Sequence, residues 1–214
     1  MEKYKIQVAK EHYYKGYDSL SRFSSYYYQI ETALQLKPKN ILEIGVGNKT
    51  VSNYLKEMGI EVVTFDFDKE LNPDIVGDMR DMNMIKNKSF DLVMACEVLE
   101  HIPWSDIDKS LKELKRVSKE YVIVAMPWSG WSLNINITFP YIKRIFNRDY
   151  FNFGFVIPRF YANIKWKGQH YWEIGSKDYP LSKIRNKLKE YFILEKDFQN
   201  PLNRYHHYFV LRKR

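Results

Sequence analysis

Four stretches of the 214-residue chain place chemistry-bearing residues immediately after apolar runs. Ile41-Leu42-Glu43-Ile44 closes on Gly45-Val46-Gly47-Asn48, and Ile60 to Phe65 closes on Asp66. Asp74-Ile75-Val76 precedes Gly77-Asp78-Met79, and Phe90 to Ala95 runs into Cys96-Glu97-Val98-Leu99-Glu100-His101. Glycines after a strand let the backbone turn sharply and let a ligand approach the main chain, while a following helix offers free N–H groups. A dinucleotide fingerprint needs a third glycine at position 50, where Thr50 stands. Glu43 would repel phosphate, but it suits a ligand with an amino group or a sulfonium. Asp66, 21 residues after Gly45, is placed to take both hydroxyls of a nucleoside ribose. Asp78 is placed to accept from an adenine amino group. Together they describe a pocket for a nucleoside whose far end is cationic rather than phosphorylated.

The elements that position these residues are legible. Apolar residues recur at helical spacing over 20–36, ahead of the stop signal Lys37-Pro38-Lys39. A strand over 41–44, a helix over 50–58 stopped by Gly59, and a strand over 60–65 make the βαβ unit of an open parallel sheet. Further strands are expected at 74–76, 90–95 and 121–126, with helices over 105–117 and about 181–191. Two closing strands, 192–197 and 205–211, predict a terminal hairpin and hence an antiparallel strand. Residues 128–172 break the alternation. They hold 14 aromatics in 45 positions and six Lys/Arg against the single acid Asp149, most of the chain's net charge of +8. Residues 128–180 are therefore expected to form a lid or substrate-contacting insertion within one domain spanning 1–214. Its alternative role is a lid packed by its own aromatics.

Composition bounds the class. With 45% hydrophobic and 16% aromatic residues the chain is no disordered segment. Cys96 is the single cysteine, which rules out an internal disulfide framework or a multi-cysteine metal site. Met1-Glu2-Lys3-Tyr4-Lys5 has no apolar core, so no signal peptide is expected. Apolar runs such as Tyr121 to Trp128 fall far short of the roughly 20 residues a membrane span needs. A soluble, cytoplasmic protein with a basic surface is the expectation.

In order and spacing, Leu42 to Gly47, Val63 to Asp66, Gly77-Asp78-Met79 and Phe90 to Pro103 resemble the class I S-adenosylmethionine-dependent methyltransferases, of methyltransferase type 11, over roughly residues 38–127. Ser24 to Ile30, His170 to Gly175 and Asn203 to Leu211 look like a group of small prokaryotic methyltransferases without an assigned substrate. The resemblance implies an α/β, Rossmann-like, doubly wound seven-stranded sheet, mostly parallel with its last strand antiparallel and helices on both faces. It implies S-adenosylmethionine as cofactor, held by Glu43, Gly45, Gly47, Asn48, Asp66, Phe67, Asp78, Met79, Cys96 and His101. Lys49 stands where many members carry a small residue, and Asn48 replaces another small one. Asn tolerates a left-handed turn, so the loop is expected to survive.

Methyl transfer from a sulfonium is an in-line displacement, with the nucleophile held about 3 Å from the methyl carbon. A general base is needed only for an acceptor that starts protonated. His170 is the first candidate base, with Glu173 orienting it; Tyr26, Tyr171 and Trp172 would bind the acceptor. The alternative is that 170–175 merely docks the lid. His101 belongs to the pocket wall or to catalysis, and Glu97 and Glu100 line the pocket or cap a helix. Arg22 reaches an acceptor anion or is solvated. His206 and His207 point to opposite faces of a strand, and no metal site is expected. Tyr26, Tyr27 and Tyr28 cannot all face the cofactor.

The expected activity is methyl transfer to an oxygen or nitrogen nucleophile of a small or medium, anionic acceptor: a metabolite, a sugar or a lipid-linked precursor. Basic aromatic segments also suit single-stranded RNA, but Cys96-Glu97-Val98-Leu99 stands where base-amino methyltransferases carry an Asn/Asp-Pro-Pro-aromatic tetrapeptide. A non-catalytic cofactor-binding scaffold is the remaining alternative. Peripheral membrane contact and oligomeric state stay open.

Overall fold

The computed structural model describes residues 9–164 and 169–214; Lys165 and Lys167 of the basic count lie outside them. Seven strands form one sheet: β1 (Asn40–Ile44), β2 (Glu61–Asp66), β3 (Ile75–Val76), β4 (Phe90–Cys96), β5 (Ser118–Pro127), β8 (Phe192–Asn200) and β9 (Asn203–Lys213). Their order is β3-β2-β1-β4-β5-β9-β8. β1 to β5 are parallel to one another, whereas β9 runs antiparallel to both β5 and β8. This is the expected Rossmann-like sheet.

Alternation along the strands explains the double winding. Leu42, Val93, Ala95, Val122 and Val124 face one way, against α3 (Ile107–Val117) and α5 (Leu181–Tyr191). Ile41, Leu92, Met94 and Ile123 face the other, against α1 (Leu20–Gln35) and α2 (Thr50–Glu57). Strands buried on both faces read as continuous apolar runs, which is why they were visible in the sequence. α3 presents Ile107, Leu111, Leu114 and Val117 at helical spacing, and all four are buried. α1 starts where Ser19 accepts the Arg22 N–H at 3.2 Å. No helix among the described residues is long and apolar enough to cross a membrane.

Between β5 and α5 the chain builds a separate two-stranded antiparallel ribbon, β6 (Gly130–Ile137) and β7 (Phe151–Pro158), joined through the short helix α4 (Ile142–Phe146). Its register pairs Trp131 with Ile157, Leu133 with Phe155, Ile135 with Phe153 and Ile137 with Phe151, so eight large apolar side chains share one face. That face points to solvent: Trp131 is 70% exposed and Phe153 59%. The opposite, polar face is the one attached to the protein. Arg204 of β9 donates to the side-chain oxygens of Asn134 and Asn152, and Gly154 leaves the space its guanidinium fills. The Asn152 amide also donates to Pro201 O at 3.0 Å. In place of the alternative, a lid packed by its own aromatics, the segment is an amphipathic ribbon with its apolar face outward.

Candidate functional site

β1 lies between β2 and β4, so chain direction along the sheet reverses there, and open α/β sheets bind ligands at the carboxyl ends of such strands. A cavity of about 330 Å³ opens at this point. It is lined by Glu43 of β1 and Gly45–Asn48 after it, by Asp66–Asp68 at the end of β2, by Met79, and by Cys96–Val98 and Glu100–Ile102 at the end of β4.

The loop after β1 is held by its neighbours. Asp66 is buried, and its carboxylate accepts the Val46 N–H and the Asp68 N–H, both at 2.9 Å. Burial pushes the Asp66 carboxyl up, and those backbone donors oppose the rise. Each oxygen keeps a second lone pair for a ligand hydroxyl. Asn48 caps α2, its side-chain oxygen accepting from the Thr50 N–H at 3.2 Å and the Thr50 hydroxyl at 2.8 Å. The left-handed residue of the turn is Lys49 (φ 63°) and not Asn48. Gly45 sits at φ 82°, and a Cβ there would meet Val98 Cγ2 at 2.4 Å.

Glu43 is buried with Oε2 unpartnered at the cavity wall. Burial lifts its pKa to about 7, with the Ser52 hydroxyl and Lys56 pulling the other way. A raised folded pKa stabilises the fold below the unfolded value near 4.5, and that contribution is lost as pH rises through about 7. In the ligand-free protein, Glu43→Gln is therefore expected to gain on the wild type between pH 5 and 8, by an amount on the order of 3 kcal/mol at 1.36 kcal/mol per unit. Urea denaturation of both proteins at the two pH values measures it. An equal pH dependence would show that Glu43 ionises without penalty.

The remaining sequence candidates divide. Phe67, Met79, Cys96, His101, His170 and Tyr26 line the cavity with the loop residues. The Tyr26 hydroxyl donates to Asp18 at 2.9 Å; Tyr27 is exposed, and the Tyr28 hydroxyl meets that of Tyr150 at 3.1 Å. Burial raises the Cys96 thiol well above its usual range. Glu173 stands behind the lining, its Oε1 2.7 Å from His170 Nδ1.

Four expectations meet a different placement. Asp78 does not line the cavity, and Arg80, two residues on, donates to both of its oxygens. Trp172 is core, 1% exposed, with its Nε1–H donating to Ile102 O at 3.0 Å and its ring against Trp104 and Tyr179. Tyr171 packs on the same cluster, its N–H donating to Glu100 O at 2.9 Å. Among the described residues of 128–180, Gln169 and His170 alone line the cavity, and no residue of the ribbon does. Instead His12, Tyr13 and Tyr17, ahead of α1, close the mouth, their rings meeting edge-on at 5.2–5.9 Å. Only an aromatic excess over 12–17 hinted at this. Tyr205 also lines the cavity and was not foreseen.

At the far end, Arg22, Glu97, Glu100, His101, Gln169 and His170 surround the space past Cys96. Glu97 is held at φ 57°, a left-handed conformation that costs a non-glycine residue about 1–3 kcal/mol and clusters at functional sites. Burial pushes its pKa up to about 8, with Arg22 opposing and Glu173 adding. Burial, then Glu97, drives Glu100 well above the usual carboxylate range. Burial holds His101 down to about 4, with His170 adding to the effect. His206 and His207 do face opposite ways, and both are buried: His206 toward Ser25 of α1, and His207 toward Trp128.

Residues 42–126 match the family model of a methyltransferase domain. The chain's fold is that of the class I S-adenosylmethionine-dependent methyltransferases. A protein from Pyrococcus horikoshii OT3 superposes with TM-score 0.62 at 17% identity, covering 99% of this chain and 100% of its own. The 1,6-didemethyltoxoflavin-N1-methyltransferase of Burkholderia thailandensis, solved with 1,6-didemethyltoxoflavin and S-adenosylhomocysteine, gives TM-score 0.60 at 12% identity, with coverage of 95% and 84%. The N-methyltransferase NodS of Bradyrhizobium japonicum WM9, solved with S-adenosylhomocysteine, gives 0.56 at 11%, with coverage of 92% and 89%. At such identities the likeness is one of fold. No curated protein matches the chain by sequence. The matched stretch runs from β1 to β5 and so contains every cofactor candidate named above, while the aromatic cover and the ribbon lie outside it.

Proposed function

We propose that the protein transfers the methyl group of S-adenosylmethionine to an oxygen or nitrogen nucleophile of an anionic, lipid-linked acceptor at a membrane surface. The cavity supports the cofactor half. Glu43 offers an unpartnered carboxylate oxygen to an amino group, Gly45 leaves room for close approach along the main chain, and Asp66 keeps acceptor capacity for a ribose diol. S-adenosylmethionine supplies an electrophilic methyl. The chain's own work is to hold the nucleophile in line, exclude water beneath Tyr13 and Tyr17, and take a proton where the acceptor carries one. His170, with Nδ1–H pointed at Glu173, presents Nε2 as the basic nitrogen.

The outward apolar face of the ribbon supports the acceptor half. A contiguous face of eight such residues exceeds what monomeric proteins ordinarily leave to water. Around it stand Phe139, Tyr141, Ile145 and Phe146, all exposed, with Lys143, Arg144, Arg148 and Arg159 against Asp149 alone. Aromatics mixed with bases suit an anionic bilayer, where each Lys or Arg near the surface contributes about 1 kcal/mol. A second copy on the same face would bring like charges together. The ribbon is tied to β9 through Arg204, next to cavity-lining Tyr205, so a docked bilayer lies beside the site.

The test is methylation of a total cell extract with tritiated S-adenosylmethionine, followed by phase partition, alongside sedimentation with phosphatidylglycerol and phosphatidylcholine vesicles. Label in the organic phase and binding to the anionic vesicles are expected, both reduced by Trp131→Asp with Phe155→Asp. Label confined to RNA or to water-soluble metabolites, with no vesicle binding, would contradict the acceptor class.

A further inference from the structure

Glu100, His101 and His170 each offer one ligand atom, and these atoms lie within 4.8 Å of one another at the acceptor end of the cavity. Neighbouring ligands in a tetrahedral set at about 2.1 Å from the ion are about 3.4 Å apart, so closing on an ion takes side-chain shifts on the order of an ångström. The rings are already oriented. His101 Nδ1 is 3.0 Å from Gln169 O, and His170 Nδ1 is 2.7 Å from Glu173 Oε1. Both partners accept, so each Nδ1 carries a hydrogen, and in the neutral ring Nε2 is the ligating nitrogen. A carboxylate or carbonyl behind the distal nitrogen is how metal-binding histidines are held. His101 Nε2 points to the carboxyl of Glu100, 4.0 Å from Oε1, and the two rings stand edge-to-face with centroids 4.9 Å apart.

The carboxyl side lacks what the histidines have. Glu100 is 1% exposed, and neither side-chain oxygen has a hydrogen-bond partner. Glu97, three residues earlier on the same loop, has Oε1 likewise buried and unpartnered. Buried polar groups are nearly always satisfied, and three orphan carboxyl oxygens at one end of one cavity call for a missing partner. A cation on this side would satisfy them.

We propose that Glu100, His101 and His170 form a divalent metal site, with Glu97 as a further carboxylate beside it. Two imidazoles with carboxylates suit Mn²⁺, Fe²⁺, Co²⁺ or Zn²⁺ rather than Mg²⁺ or Ca²⁺, which prefer all-oxygen sets. This role rests on reading the cavity as a methyl-transfer site, and in it His170 serves as a ligand instead of the base: the ion binds and orients an oxygen-bearing acceptor, making the hydroxyl easier to deprotonate. The acceptor oxygen then forms its bond to the methyl carbon as the carbon–sulfur bond breaks, the sulfur keeps the electron pair, and the hydroxyl proton goes to solvent.

Tag-free, chelator-stripped protein is titrated with Mn²⁺, and free Mn²⁺ is read by its paramagnetic resonance signal. Binding of S-adenosylhomocysteine is measured separately by calorimetry. One Mn²⁺ per chain is expected. Binding should weaken at least about tenfold in Glu100→Gln and His170→Ala and in the supporting variant Glu173→Gln, the scale of losses at metal-site residues. Glu100→Gln keeps the shape of the side chain, and His170 is on an edge segment, so cooperative thermal unfolding of both verifies folding. No Mn²⁺ binding by the wild type, or equal binding by wild type and variants, overturns the site even where S-adenosylhomocysteine binds. One Mn²⁺ per chain without S-adenosylhomocysteine binding upholds the site and overturns the methyl-transfer reading instead.

Discussion

Trp172→Ala is expected to cost about 3–5 kcal/mol of stability, the range for emptying an aromatic from a well-packed core. The ring is 1% exposed and meets Trp104 edge-on at 5.0 Å and Tyr179 at 5.8 Å. Its Nε1–H satisfies Ile102 O at 3.0 Å, so truncation also orphans a carbonyl on the loop that carries Glu100 and His101. The segment bearing Gln169 and His170 is anchored by this side chain and by the Tyr171 N–H on Glu100 O. The variant should therefore lose stability first and activity as a consequence, and Trp172→Phe should recover much of both. Urea denaturation measures the change. A loss below about 0.5 kcal/mol, the scale of a surface change, together with a large fall in activity would return Trp172 to acceptor binding.

Gly45→Ala is expected to remove cofactor binding where Gly59→Ala does not. Both glycines have φ 82°, so both substitutions place an L-residue in left-handed backbone at about 1–2 kcal/mol. They differ in what the new methyl meets. At Gly59 there is open space, whereas at Gly45 it would stand 2.4 Å from Val98 Cγ2. Valine is stiff at χ1 and has no long arm to swing away. Either the loop after β1 or the loop after β4 must shift, and the cavity lies between them. A total loss of about 2–4 kcal/mol in stability follows, from backbone strain plus overpacking, with S-adenosylhomocysteine binding falling at least about a hundredfold. Parallel denaturation and calorimetry on the two variants check it. Equal behaviour would mean that the Val98 contact yields freely.

What was legible in the sequence follows from what the residues had to satisfy. β1, β2, β4 and β5 are buried on both faces, so their apolar runs and the acids closing them stood out. The ribbon was missed for the opposite reason. Trp131, Leu133, Ile135 and Ile137 alternate as a strand should, and so do Phe151, Phe153, Phe155 and Ile157. Yet a compact lid assumes that apolar faces turn inward, and here Asn134 and Asn152 hold the inner side through Arg204. Asp78 matched its motif but is taken by a neighbour two residues away, a local event that spacing does not reveal. Tyr13 and Tyr17 carry no periodic pattern at all, and only the folded chain brings them over Gly47 and Glu97. The Glu100, His101 and His170 group spans 70 residues of sequence, so its members could be named one by one but not joined.

Calorimetric titration with S-adenosylmethionine and S-adenosylhomocysteine, on the wild type and on Asp66→Ala, tests the central claim most directly. One site of micromolar affinity is predicted for the wild type. The variant should be weaker by about 1–3 kcal/mol, the scale of lost hydrogen bonds to a charged group, because Asp66 both receives the ribose and holds the Val46 N–H of the loop. No binding of either compound by the wild type, or unchanged affinity in Asp66→Ala, would contradict the assignment of this cavity to the cofactor.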